Sequence, residues 1–160
     1  MTQMDVRGII LEPATGIPIV ILMSKNNLVL PIFTGPFEAN AIALELKGLK
    51  PPRPLTHDII ASFFMMHGIK TEYLHIYDMF EDVYFARIHY RKGLKRYEME
   101  LRPSDGIAIA MKLNIPIFAE ESLLENESIK GNVAVHQEEI LPDDETIMFL
   151  GDEKVSDFLM

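Results

Sequence analysis

Arg53-Pro-Leu-Thr-His-Asp58 and Arg102-Pro-Ser-Asp105 are the two stretches that organise this chain. In each, Arg-Pro leads through a hydroxyl residue to an aspartate. In each, an apolar pattern at helical spacing follows: Ile59, Ile60, Phe63 and Phe64 after the first, Ile107 to Ala110 after the second. Proline presets the backbone of a helix's first turn, and Ser or Thr can cap its unpaired N–H groups. The two stretches therefore predict helix starts near Thr56 and Pro103, polar ends where backbone donors and the helix dipole favour anions. Helix caps are far commoner than active sites, so a structural role is the default for each motif.

Upstream, Met4–Leu11, Ile17–Met23 and Leu28–Phe33 are apolar-rich runs separated by the turn chemistry of Glu12-Pro-Ala-Thr-Gly16 and Ser24-Lys-Asn-Asn27. They predict an antiparallel meander. Gly35-Pro36 opens a helix with Phe37, Ala41, Ile42 and Leu44 as its apolar stripe, and Gly48 ends it. The prolines of Lys50-Pro-Pro-Arg-Pro54 hold an extended connector that brings Arg53 to the head of the next helix. That helix, Thr56 to His67, is apolar over a wide arc and is expected to be the central, mostly buried one, with Gly68 as its C-cap. Strands are expected at Tyr73–Met79, Val83–Arg91 and Leu94–Leu101, with turns at Glu81-Asp82 and Lys92-Gly93. A helix over Pro103–Leu113, closed by Asn114, and a short strand at Ile115–Ala119 complete the pattern. Strands, two helices, strands, a helix and a strand make an α+β fold with a mostly antiparallel sheet and three main helices, not a regular βαβ repeat.

Charge divides the chain. Residues 1–119 hold 13 Lys/Arg against 12 Asp/Glu, a balance of +1, and residues 120–160 hold 2 against 12, a balance of -10, which together give the net -9. The break suggests a domain over 1–125 and an acidic C-terminal extension over 126–160. Weaker patterns beyond Glu120 are a helical turn at Ser122–Glu125, short strands at Val133–Val135 and Thr146–Leu150, and an amphipathic helix at Asp152–Met160. Ile147, Met148, Phe149 and Phe158 make the extension one that is expected to be partly ordered. The absence of cysteine excludes disulfides and thiolate zinc sites. The first residues lack a signal-peptide pattern, and no apolar run nears the roughly 18 residues of a membrane span. A soluble cytoplasmic protein with no membrane partner is the expectation.

His57 and Asp58 fall in the first turn of their helix. An imidazole can act as acid or base near neutral pH, and Asp58 can hold a divalent cation or orient a base. Glu38, three residues after Gly35, and Asp105 fall at equivalent positions of the other two helices. Each has a structural alternative as an acid completing a helix start. If the three helix ends converge, Glu38, Asp58 and Asp105 with His57 share a pocket, and such oxygen ligands suit magnesium or manganese. Arg53 and Arg102 can bind phosphate in a bidentate manner or neutralise neighbouring carboxylates. The hairpin Arg87–Tyr97 carries Arg87, Arg91, Lys92, Lys95 and Arg96, with Arg87, His89 and Arg91 on one face and Tyr90 and Tyr97 interleaved. It is a candidate nucleic-acid contact or a solvated, lysine-protected edge in which Arg87 pairs with Glu98. There is no GxGxxG, P-loop, nucleophile-elbow serine or HExxH helix, and the scattered methionines suit core packing.

Three stretches together resemble the bifunctional nuclease (BFN) domain family. They are Leu30-Pro-Ile with Glu38-Ala39 and Ala41-Ile42-Ala43; Arg53-Pro-Leu-Thr-His-Asp58; and Arg102-Pro-Ser-Asp105 with Ile107-Ala108-Ile109-Ala110 and then Pro116-Ile117. The resemblance covers roughly residues 4–125. It implies an α+β fold and cleavage of RNA and DNA, with Glu38, Arg53, Thr56, His57, Asp58, Arg102, Ser104 and Asp105 as the matching polar positions. Gly106 stands where alanine is expected, and the acidic stretch 126–160 matches nothing in the family pattern. The resulting expectation is a metal-assisted nuclease. Glu38, Asp58 and Asp105 would be its metal ligands, and His57 its acid or base. Arg53, Arg102, Thr56, Ser104, Arg87, Arg91, Lys95 and Arg96 would contact substrate, and the acidic extension would mimic nucleic acid over that surface. The alternative is a non-catalytic oligomeric protein- or ligand-binding module, with a homodimer in view and the motif residues acting as caps and ion pairs.

Overall fold

The computed structural model describes residues 1–124. The extension patterns expected beyond Leu124 lie outside these residues. The elements are β1 (Thr2–Leu11), β2 (Pro18–Ser24), β3 (Val29–Phe33), α1 (Pro36–Leu46), α2 (Thr56–Met66), β4 (Ile69–Phe80), β5 (Val83–Lys92), β6 (Lys95–Leu101), α3 (Pro103–Leu113) and β7 (Ile117–Ala119). A helical turn follows at 121–124. The sheet has seven strands in the order β3-β2-β1-β7-β4-β5-β6. The fold is α+β, as expected.

Two three-stranded antiparallel meanders, β1–β3 and β4–β6, are joined by β7 alone. Three residues of β7 pair antiparallel with β1, Thr2 opposite Ala119, and parallel with β4, Leu74 opposite Ile117. This is the sheet's one parallel pairing among the described residues. The pairing is possible because α3 carries the chain back from β6 at the edge to the gap between the meanders.

Helix α3, not α2, is the central buried helix. Ile107, Ala108 and Ala110 join Leu30, Ile32, Ile42, Leu74 and Ile76 in the main core, and Ile109 meets Phe64 and Ile88 in a second cluster. Small residues let α3 approach the sheet closely. A Cβ at Gly106 would lie 2.5 Å from Leu74 Cδ1, so the alanine expected there would require fully buried Leu74 to shift. Helix α2 buries only His57, Ala61 and Phe64. Its outward stripe of Ile59, Phe63 and Met66 stays exposed in the monomer, against the expectation of a mostly buried helix. The apolar pattern is present, but the helix packs on α3 and β4 with one face and leaves the other uncovered.

Turn chemistry settles the ends. Gly48 and Gly68 follow α1 and α2 at positive φ, and Asn114 closes α3 in the left-handed conformation. The β5–β6 turn is Gly93-Leu94, one residue later than expected, with Lys92 opposite Lys95. Gly93 is the residue at positive φ, the first central position of a type II′ turn; a Lys92-Gly93 turn would put lysine there. The register moves accordingly. Arg87 lies opposite Glu100, and His89 opposite Glu98.

Burial separates two adjacent phenylalanines of α2. Phe64→Ala should cost about 3–5 kcal/mol, whereas Phe63→Ala should stay within about 0.5 kcal/mol, measured by urea unfolding of dilute protein.

A candidate active site at the helix N-termini

Each of α1, α2 and α3 places an acid in the first turn: Glu38 in α1, Asp58 in α2 and Asp105 in α3. The hydroxyl residues expected as caps do not cap. Thr56 and Ser104 lie inside the helices, the N-cap positions are Leu55 and Arg102, and no side-chain cap hydrogen bond forms there. Both helices begin where the sequence predicts, at Thr56 and Pro103, with extended backbone at Leu55 and Arg102, so the hydroxyl residues fall inside the first turn and not at the cap. In α2 the acid reaches back instead, and Leu55 N–H donates to Asp58 Oδ2 at 2.7 Å.

The first turns of α1 and α3 meet at Arg102. Its Nη2 donates to Glu38 Oε1 at 2.7 Å, and its Nε donates to Asp105 Oδ2 at 2.7 Å. Helix α2 joins through His57, whose Nε2 lies 3.0 Å from Asp105 Oδ1. A chain Glu38–Arg102–Asp105–His57 thus links three helices. It is graded in depth: the Arg102 side chain is 69% exposed and that of His57 only 9%. Glu38 folds back over Gly35, into the space a Cβ there would fill.

Burial alone would raise the Asp105 carboxyl, but hydrogen bonds from Arg102 and His57 outweigh it and hold it below the ordinary aspartate range. The Asp105 hydrogen bond and charge, then Glu38, hold the Arg102 guanidinium above its usual value. Both remain charged across the working pH range.

Asp58 turns the other way. Its Oδ1 lies 2.5 Å from Lys112 Nζ, which also donates to Glu45 Oε1 at 2.8 Å. The Lys112 side chain is only 4% exposed. Burial would lower this ammonium, yet its two carboxylate partners leave it raised; against its own burial, the Asp58 carboxyl is held lowered by Lys112 and by the Leu55 N–H. Glu38 and Asp105 therefore converge, whereas Asp58 belongs to a second cluster. Among the described residues no group of three or more His, Asp or Glu is placed to hold a metal ion. The expected three-carboxylate donor set does not fit a metal as arranged, because Arg102 and Lys112 already neutralise it.

The remaining expected site residues are dispersed. Arg53 and Thr56 are exposed, and Arg53 has no ion-pair partner among the described residues. Ser104 is buried. Arg87 binds Glu98 and Glu100 and lies 4.1 Å over the Tyr77 ring. Arg91 and Arg96 both approach Glu72. Lys95 is exposed at the hairpin turn. Tyr90 stacks on Tyr97 and on Phe64 of α2, on the sheet face opposite Arg87 and His89, so these two tyrosines are not interleaved with the basic residues on one surface. Lys112 and Glu45 were missed by sequence reasoning. A signal was present: Lys112 is the single charge in Gly106–Leu113 and lies two turns beyond Asp105 on the same face.

Lys112→Met should destabilise the fold by about 3 kcal/mol at neutral pH by stranding Asp58 and Glu45. The lowered carboxylate contributes stability that is complete above its unfolded value of about 3.9. That contribution is lost as pH falls through the lower folded value. The difference between wild type and variant in urea unfolding should thus shrink from about pH 5 toward pH 2.

The bifunctional nuclease domain model matches residues 20–132. An uncharacterized protein of Mycobacterium tuberculosis (strain ATCC 25618 / H37Rv) is 38% identical over 125 residues, covering 78% of this chain and 74% of that protein. Bifunctional nuclease 1 of Oryza sativa subsp. japonica is 25% identical over 108 residues, 66% of this chain and 33% of the rice protein. A bifunctional nuclease of Oryza minuta matches to the same extent. With its three motif stretches assembled at the helix starts and the family model covering most of its length, the chain belongs to the bifunctional nuclease domain family.

Proposed function

We propose that this chain is a nuclease that hydrolyses phosphodiester bonds in RNA or DNA, with Arg102 and its neighbours as the working site. The observation that carries the proposal is the exposed Arg102 guanidinium seated over Asp105 and, beneath it, His57. An arginine fork suits phosphate oxygens, and an imidazole oriented by a carboxylate suits proton transfer. The activity in the plant relatives' names supports the same class.

In this reading Arg102 binds a non-bridging phosphate oxygen and releases Glu38 in exchange. Asp105 holds His57 Nε2, so Nδ1 is the atom left to exchange a proton. Water adds to phosphorus, the bond to the leaving oxygen breaks, and the water's proton passes to the leaving group through His57 or Glu38. A magnesium or manganese ion would need one or two carboxylates together with substrate phosphate oxygens, the usual manner for magnesium. Within the hairpin, Arg87, Arg91 and Arg96 already face glutamates, so Lys92 and Lys95 at its tip are the hairpin cations with no ion pair among the described residues and could hold a strand. Thr56, Ser104 and Arg53 have no part in the step. The proposed setting is the cytoplasm, where such substrates occur.

A second reading, a non-catalytic oligomeric binding module, is favoured by the burial of His57, since the same network serves as a clamp between helices. Purified protein should cleave labelled single-stranded RNA or DNA in magnesium or manganese. His57→Ala and Arg102→Ala should each lower the rate by about a hundredfold or more while the fold persists in a thermal melt. Absence of cleavage in wild type, with a loss of about 1 kcal/mol or more of stability in His57→Ala, would favour the module.

A further inference from the structure

We propose that His75 and His89, on the face of the sheet turned away from the helices, form a binding site for one divalent ion of copper, nickel or zinc. This inference does not rest on the nuclease reading, and it uses no residue of the Arg102 network.

Leu74, Ile76, Ala86 and Ile88 join the cores on the helix side of the sheet. Alternation therefore sends Tyr73, His75, Arg87 and His89 to the other face. His89 lies opposite Tyr73 and stacks on it, with 4.3 Å between ring centroids. His75 is two residues further along β4, so the two histidines are diagonal neighbours across the β4–β5 pair. Their ring centroids stand 6.0 Å apart. Two imidazoles that share one ion at about 2.1 Å from each nitrogen hold their centroids roughly 5–6.5 Å apart. The two strands thus already space the pair for a shared ion.

Each ring turns one nitrogen to a carboxylate and keeps the other. His75 Nε2 lies 2.8 Å from Glu120 Oε1. The carboxylate can only accept, so Nε2 donates and the lone pair stays on Nδ1. His89 Nδ1 lies 3.7 Å from Glu98 Oε1, and its Nε2 is buried with no hydrogen-bond partner. Among the described residues it is the one side-chain atom in that condition. A buried acceptor without a donor is costly, and a bound cation removes the cost. A carboxylate behind each imidazole is also the arrangement that fixes the tautomer and raises the basicity of a metal-ligating histidine. Burial, the largest influence, holds the His89 imidazole below its usual value despite Glu98. The ring is therefore neutral near pH 7, the form that binds metal.

The donor type selects the metal. Imidazole suits copper, nickel and zinc, whereas magnesium takes oxygen ligands. Among the described residues no third His, Asp or Glu joins the pair as a ligand. Water fills the remaining positions, and affinity follows the preference of each metal for nitrogen. Arg87, on the same face, is the cation that would oppose a metal, and Glu98 and Glu100 already neutralise it. Glu120 adds negative charge beside His75. A metal site needs an entry path, and each histidine side chain is 16% exposed.

Untagged protein stripped with a chelator should be titrated with copper, nickel, zinc and magnesium ions by calorimetry. One equivalent should bind, copper more tightly than nickel or zinc, and magnesium should not. His75→Ala and His89→Ala should each weaken zinc binding by about a hundredfold, and Glu120→Gln by about tenfold. His67→Ala should leave it unchanged. X-ray absorption of the copper-loaded wild type should count two imidazole ligands, a reading that does not depend on any variant folding. No uptake by wild type overturns the proposal. So does uptake that survives both changes at His75 and His89, uptake lost in His67→Ala, or a copper spectrum with fewer than two imidazoles.

Discussion

Helix α3 has to sit almost without clearance between the sheet, α1 and α2, and much of this molecule follows from that constraint. Gly106 removes the one Cβ that would collide with Leu74, and Ala108 and Ala110 keep the remaining contact short. Close packing makes the position of α3 stiff. The short strand β7, which follows α3 directly, is therefore delivered to the slot between two meanders that otherwise would not touch. A helix standing further from the sheet would not carry β7 into register with both Leu74 and Thr2.

The same burial dictates the electrostatics. A helix this enclosed cannot leave charge unpaired, and it carries charge only at its ends, Arg102 and Asp105 at one and Lys112 at the other. Each end is tied to both neighbouring helices. Glu38 and His57 meet the first, and Glu45 and Asp58 the second. The two clusters differ in access. Lys112 is sealed, which suits a structural role, whereas Arg102 opens to solvent above two carboxylates, which suits encounter with an anion. The chemistry proposed for this family member is placed at the open end for that reason. Salt would screen Arg102 far more than Lys112.

The outer boundary of the fold is governed by what α3 does not reach. Helix α2 packs on α3 and β4 with one face, which leaves its outer apolar stripe uncovered, and the sheet ends at β6 among the described residues. Edge strands usually carry charge to discourage pairing. Here the strand carries Lys95, Arg96, Glu98 and Glu100, charges of the kind that protect an edge.

Much of this was legible in the chain itself. Period-two and period-3.6 patterns, with proline, glycine and asparagine at the ends, located the seven strands and three main helices of the described residues, because these signals are local and each acts through the backbone of a few residues. The three motif stretches that mark the family were legible for the same reason. What lay beyond the sequence were relations between distant residues. That Glu38 and Asp105 share Arg102, that Asp58 turns instead to Lys112, that α3 and not α2 is enclosed, and that the hairpin register follows Gly93 all depend on distances and exposure. Periodicity says that a helix has an apolar face but not how many neighbours will cover it. The ionic partners of α3 are separated by 48 and 67 positions in the chain, and only tertiary packing around a tightly seated helix brings them within bonding reach.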